Sequence, residues 1–196
     1  MSKIVSYKSS AEREPLSEGV HTAVIVAVQE MGLQPGFENK KPGIEYAICF
    51  EFETRVKEGL NMGKRRTMWI TVSASLHEKS KLTQIVKAIG CDLAVAQRDG
   101  FDLDTLIGRS LQIGITHDVK GDHRYARAGS FYKLPVGVLP LTPEHQQTEP
   151  MPDFLQERRD RGLPPTPPPP AASPSPAPSP TAPVAVTSTL EPLWNK

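Results

Sequence analysis

Apolar and polar residues alternate most cleanly over 44–56, with Ile44, Tyr46, Ile48, Phe50 and Phe52 on one side and Glu45, Ala47, Cys49, Glu51 and Glu53 on the other. A period of two with one apolar face predicts a half-buried strand. Upstream, 20–31 is rich in β-branched residues and reads as a first strand, and Gly32, Pro35, Gly36, Pro42 and Gly43 punctuate the loop between the two. A turn around 59–63 leads into a third strand at 64–74, which pairs with the second as a hairpin with a longer loop. The period then changes. Ser75-Leu76-His77-Glu78 has the form of a capping box, Leu82, Ile85, Val86 and Ile89 recur at helical spacing, and Gly90 supplies the stop. A less regular stretch over 101–108 suggests one helical turn. Two further strands follow at 110–119 and 124–134, joined by Lys120-Gly121-Asp122-His123.

The order strand, strand, strand, helix, strand, strand (β-β-β-α-β-β) predicts an all-β domain with one main helix. It is the order of a five-stranded Greek-key barrel of the oligonucleotide/oligosaccharide-binding (OB) type. Closure removes most of the exposed edge that a lone sheet would have to protect. The competing architecture is an open sheet with the helix packed across it. Fifteen of the 20 prolines lie beyond residue 140, and 164–183 has almost no bulky apolar residue. Such a stretch cannot bury enough surface to offset its ordering entropy. Three segments are therefore expected: a flexible arm at 1–18, the OB-like domain at 19–140, and a proline-rich disordered tail at 141–196 with an apolar tip. Within that tail, 152–161 has the makings of a short helix that docks on the barrel or on a partner.

Charge changes this picture little. Residues 1–140 carry 19 Lys/Arg against 16 Asp/Glu, and the remainder 4 against 6, so bulk charge does not mark a nucleic-acid binder and local clustering must. Cys49 and Cys91 lack metal-site spacing, and Cys49 is expected to pack in the interior. No secretory signal or membrane-length apolar run is legible, which points to a reducing, cytoplasmic location. Phosphate-loop, dinucleotide and nucleophile-elbow patterns are missing, and the five histidines are scattered. Asp99, Asp102 and Asp104 read as turn and helix-start residues. The expectation is a non-enzyme with no cofactor and no metal.

Barrels of this type bind ligands on strands two and three, with the loops between strands one and two and between four and five as rims. In the third strand, Met68, Ile70 and Val72 fall on the core side, and Arg65, Thr67, Trp69 and Thr71 on the other. Trp69 thus lies beside Lys64, Arg65 and Arg66. A flat aromatic within a basic cluster suits a sequence-tolerant single strand, because every base has a face to stack while cations track the phosphates. Lys120, His123 and Arg124 surround the turn between the last two strands. Along the fifth, Tyr125, Arg127, Phe131 and Lys133 are assigned to one side, and Ala126, Ala128, Ser130 and Tyr132 to the other. The first loop adds Phe37, Lys40 and Lys41. Each has a plainer alternative: Trp69 plugs a barrel end, Lys64–Arg66 is a solvated hairpin end, and Tyr125 caps the core. Glu45, Glu51 and Glu53 are the main objection, since carboxylates on this face repel phosphate unless they pair with Arg65 and its neighbours.

Several stretches resemble phage-encoded single-stranded-DNA-binding proteins of the OB type and related phage replication-module proteins. They are Gly19-Val20-His21-Thr22-Ala23-Val24-Ile25, Glu45 through Glu53, Ser73 through Leu82, and Leu106-Ile107-Gly108-Arg109. The resemblance covers roughly 19–135 and leaves the tail outside. It implies a protein that coats or protects single-stranded DNA during replication or recombination, in the host cytoplasm if phage-encoded; RNA stays open as an alternative. Many such proteins end in an acidic tail with a hydrophobic tip that recruits replication partners. Here Leu190, Leu193 and Trp194 form an apolar tip, but only Glu191 accompanies them and the final residue is Lys196. The rival expectation is a protein-interaction adaptor that uses the proline-rich tail and binds no nucleic acid.

Overall fold

A computed structural model describes residues 15–36, 41–58, 61–121, 123–145 and 151–162 of the chain. Phe37 and Lys40 of the first loop, the proline-rich stretch, and the tip residues Leu190, Leu193 and Trp194 lie outside the described residues.

Five antiparallel strands form one open sheet: β1 (Gly19–Gln34), β2 (Gly43–Arg55), β3 (Arg65–Ser73), β4 (Ser110–Lys120) and β5 (His123–Tyr132), in the order β3-β2-β1-β4-β5. Helix α1 (Lys81–Ala88) connects β3 to β4 and packs against both edge strands, β3 and β5. Its buried residues Leu82, Ile85 and Val86 meet Ile25, Phe50 and Ile113 of the sheet in the main core. Phe50 and Phe131 approach there with ring centroids 6.2 Å apart. The mostly β architecture, the strand positions and the helix agree with the sequence pattern.

The helix start differs. Ser80, not Ser75, is the cap, its Oγ accepting the Thr83 amide at 3.1 Å. Ser75 instead accepts the His77 amide, and its carbonyl receives the Ser80 hydroxyl at 2.5 Å. The stop is as read: Gly90 has φ of +83°, its amide reaches the Lys87 carbonyl, and the Cys91 amide reaches that of Val86. This left-handed closure suits glycine, which has no Cβ to clash. A second helix, α2 (Leu93–Asp99), was not anticipated; Asp92 caps it by accepting the Ala94 amide at 2.8 Å. The expected helical turn is a 3-10 turn at Leu103–Leu106.

Two further expectations need correction. The first concerns the boundary at residue 140, because 141–145 and 151–162 fold back onto the sheet. Leu141 packs with Val24, Val26 and Cys49, while Met151 and Leu155 pack with Met31 and Ala47. Leu155 belongs to helix α3 (Asp153–Asp160), which occupies the expected 152–161 and sits against β1. Cys49 is buried, as expected of it. The second concerns the sides of β5. The β4–β5 register shifts between Gly114 and Ile115, so that Gly114 faces Ser130 while Ile115 faces Ala128. Gly129 is the extra residue, and one inserted residue turns every following side chain to the opposite face. Phe131 therefore enters the core with Ala128, and Tyr132 joins Tyr125 and Arg127 outside.

Candidate functional site

The face of the sheet away from α1 has two halves with different cover. Over β1–β2–β3 lies a strap formed by 141–145 and 151–162. Its centre is Glu51, fully buried on β2. The Glu51 carboxylate accepts the Glu144 amide at 3.0 Å, the His145 amide at 2.7 Å, His145 Nδ1–H at 2.5 Å and Arg65 Nη1 at 2.9 Å. Burial alone pushes its pKa up, but the His145 and Glu144 amides, with the His145 and Arg65 side chains, outweigh that and hold it below the ordinary carboxylate value. Arg65 also donates to the Thr142 carbonyl at 2.7 Å. Farther along, Arg158 of α3 donates to Glu45 at 2.6 Å. Glu53 accepts the Thr22 amide at 3.3 Å. The three carboxylates that stood against phosphate on this face are thus all engaged within the chain.

Trp69 is half-buried and bridges both apolar clusters beneath the strap. It packs against the Val24–Val26–Cys49 cluster, which Leu141 also joins, and against the cluster of Met31, Ala47, Met151 and Leu155. Arg65 is half-buried beside it in the chain, and Arg66 is half-buried too, while Lys64 and Lys41 are exposed. Trp69 and Arg65 thus belong to a face the chain itself covers.

The β4–β5 half is different. Tyr125 and Tyr132 are 51% and 48% exposed, and the Arg127 side chain 64%. Arg124 is exposed at the same turn, and Lys120 pairs with His123 across it. Arg127 pairs with Asp118 at 2.7 Å, and the His123 and Tyr125 rings meet edge to face, 6.3 Å apart. The Tyr132 hydroxyl donates to Ser130 Oγ at 2.9 Å. A Cβ on Gly114 would lie 2.7 Å from that Oγ and 3.5 Å from the Tyr132 ring, so glycine there lets the tyrosine lie close across β4. Tyr125 and Arg127 lie on one side of β5, with Arg124 next to Tyr125 at the turn. The sequence assigned Tyr132 to the wrong side because a bulge leaves no mark in an alternating pattern.

Among the described residues, no group of three or more His, Cys, Asp or Glu side chains is placed to hold a metal ion, and no helix is long and apolar enough to cross a membrane. No protein-family model matches the chain, and no curated protein matches it in sequence.

Proposed function

We propose that this chain is a non-catalytic single-stranded-DNA-binding protein built on an OB-type barrel, and that it contacts the strand on the outer face of β4 and β5. The strand order supports the finer fold reading: β1 pairs with both β2 and β4, and α1 packs against both edge strands, β3 and β5. The observation that carries the binding reading is the strip of Tyr125, Arg127 and Tyr132, all solvent-facing on one strand, with Arg124 at its turn. Two tyrosines supply stacking surfaces and the arginines supply phosphate partners. Stacking contributes about 1–3 kcal/mol per base. Arg127 exchanges its Asp118 partner for phosphate at small cost, since an exposed ion pair of this kind is worth about 0–1 kcal/mol.

Fluorescence polarisation with a labelled oligothymidylate, titrated at increasing salt, tests this. Affinity is expected to fall steeply with salt as phosphate contacts release counterions. The Y125A/Y132A double variant is expected to bind at least tenfold more weakly than the parent. No binding of any oligonucleotide at low salt would remove this reading and favour the adaptor.

A further inference from the structure

Glu144 lies in the strap with its side chain 39% exposed, yet two arginines of the sheet converge on it. Arg55 donates through both terminal nitrogens at 2.6 and 3.1 Å, and Arg65 Nε lies 3.1 Å away. Arginine forks match carboxylate and phosphate oxygens alike, so this donor set also suits a phosphodiester. The same network ties the strap to the sheet, since Arg65 also holds Glu51 and the Thr142 carbonyl, so Glu144 is the strap's charged anchor on these arginines. The same strap lays the Met151–Leu155 cluster against Trp69, and its Leu141 joins the Val24–Cys49 cluster on which Trp69 also packs. An anion on the arginines and apolar groups on the indole are the two kinds of contact that a single strand makes.

We propose that 141–145 and 151–162 form an autoinhibitory strap: Glu144 occupies a phosphate position formed by Arg55 and Arg65, and an incoming single strand displaces it and stacks on Trp69. This rests on the single-strand-binding reading and adds its regulation. The covered half and the open β4–β5 half belong to the same face of one sheet, so a strand seated on Tyr125 and Tyr132 extends across β1 only by lifting the strap. Glu51 is the latch, because three of its four donors, the Glu144 amide, the His145 amide and the His145 ring, leave with the strap. Glu51 and Glu53 remain beside the Arg55–Arg65 pair and Glu45 lies farther along β2, so their charge limits how tightly phosphate is held there.

The chain has two tryptophans, so W194F leaves Trp69 as the sole tryptophan, excited selectively at the red edge of its band. In that background, oligothymidylate is titrated into the parent, E144Q, and R55Q/E144Q, with circular dichroism to verify the fold. E144Q keeps the side-chain shape but removes the competing charge, and is expected to bind about two- to fivefold tighter. R55Q/E144Q is expected to lose that gain, and Trp69 emission is expected to change as the oligonucleotide saturates. If the parent binds but Trp69 emission stays constant and E144Q binds no tighter, the strap is a fixed part of the fold and the inference fails while the binding reading stands. If neither the parent nor E144Q binds at low salt, the binding reading itself fails and takes the inference with it.

Discussion

Glu51 shows most clearly how one residue's meaning depends on the chain around it. In the alternating pattern of β2 it is simply a carboxylate on the polar side, and its pairing with Arg65 is foreseeable from the hairpin. Its other partners lie 93 and 94 residues further on, and nothing in Pro143-Glu144-His145 marks them as such. Taking a carboxylate out of water is costly unless its oxygens are bonded, and here both are. Because its folded pKa lies below the unfolded value, Glu51 stabilises the closed strap fully above the ordinary glutamate range, and that contribution is lost as pH falls through the folded pKa. In the W194F background, Trp69 emission is therefore expected to be constant near neutrality and to shift as the solution is acidified below about pH 4.3. In E51Q that acid-induced step should be smaller, the remainder belonging to Glu144, whose pKa the Arg55 hydrogen bond also lowers. An identical acid profile in the variant would show that other carboxylates govern the transition.

Elements were legible where periodicity was strong. Helix α1 announces itself through Leu82, Ile85 and Val86, and β2 through five alternating apolar residues. The capping residue was less clear, since Ser75 and Ser80 both precede the apolar run and only the fold decides between them. Helix α2 has a single fully buried residue, Ala96, and so carries little pattern. The strap had weaker signals still: Leu141, Met151 and Leu155 are isolated apolar residues in a proline-rich, polar context. Its attachment rests on burial, and Leu155 is 4% exposed. L155A is expected to cost about 2–4 kcal/mol in denaturant unfolding, the range for truncating a buried leucine. It should also speed hydrogen exchange of the α3 amides relative to those of β2. A variant as stable as the parent would mean that α3 is held by Arg158–Glu45 and not by its apolar side.

At the scale of the whole molecule, near-neutral net charge leaves no long-range field to gather nucleic acid, so the proposed binding rests on a local surface. The sheet offers two such surfaces on one face. One, bearing Trp69, is covered by the chain's own strap. The other, bearing Tyr125, Arg127 and Tyr132, is open. The expectation that placed binding on strands two and three took the barrel as ending at residue 140, and the folded-back strap is what moves the open surface to β4 and β5. Ultraviolet crosslinking of the full-length chain to an oligothymidylate, followed by mass spectrometric mapping, asks directly where a single strand lies. Crosslinks in the peptides that carry Tyr125 and Tyr132 are the predicted result. A crosslinked protein whose adducts all fall elsewhere, with none on β5, would contradict it.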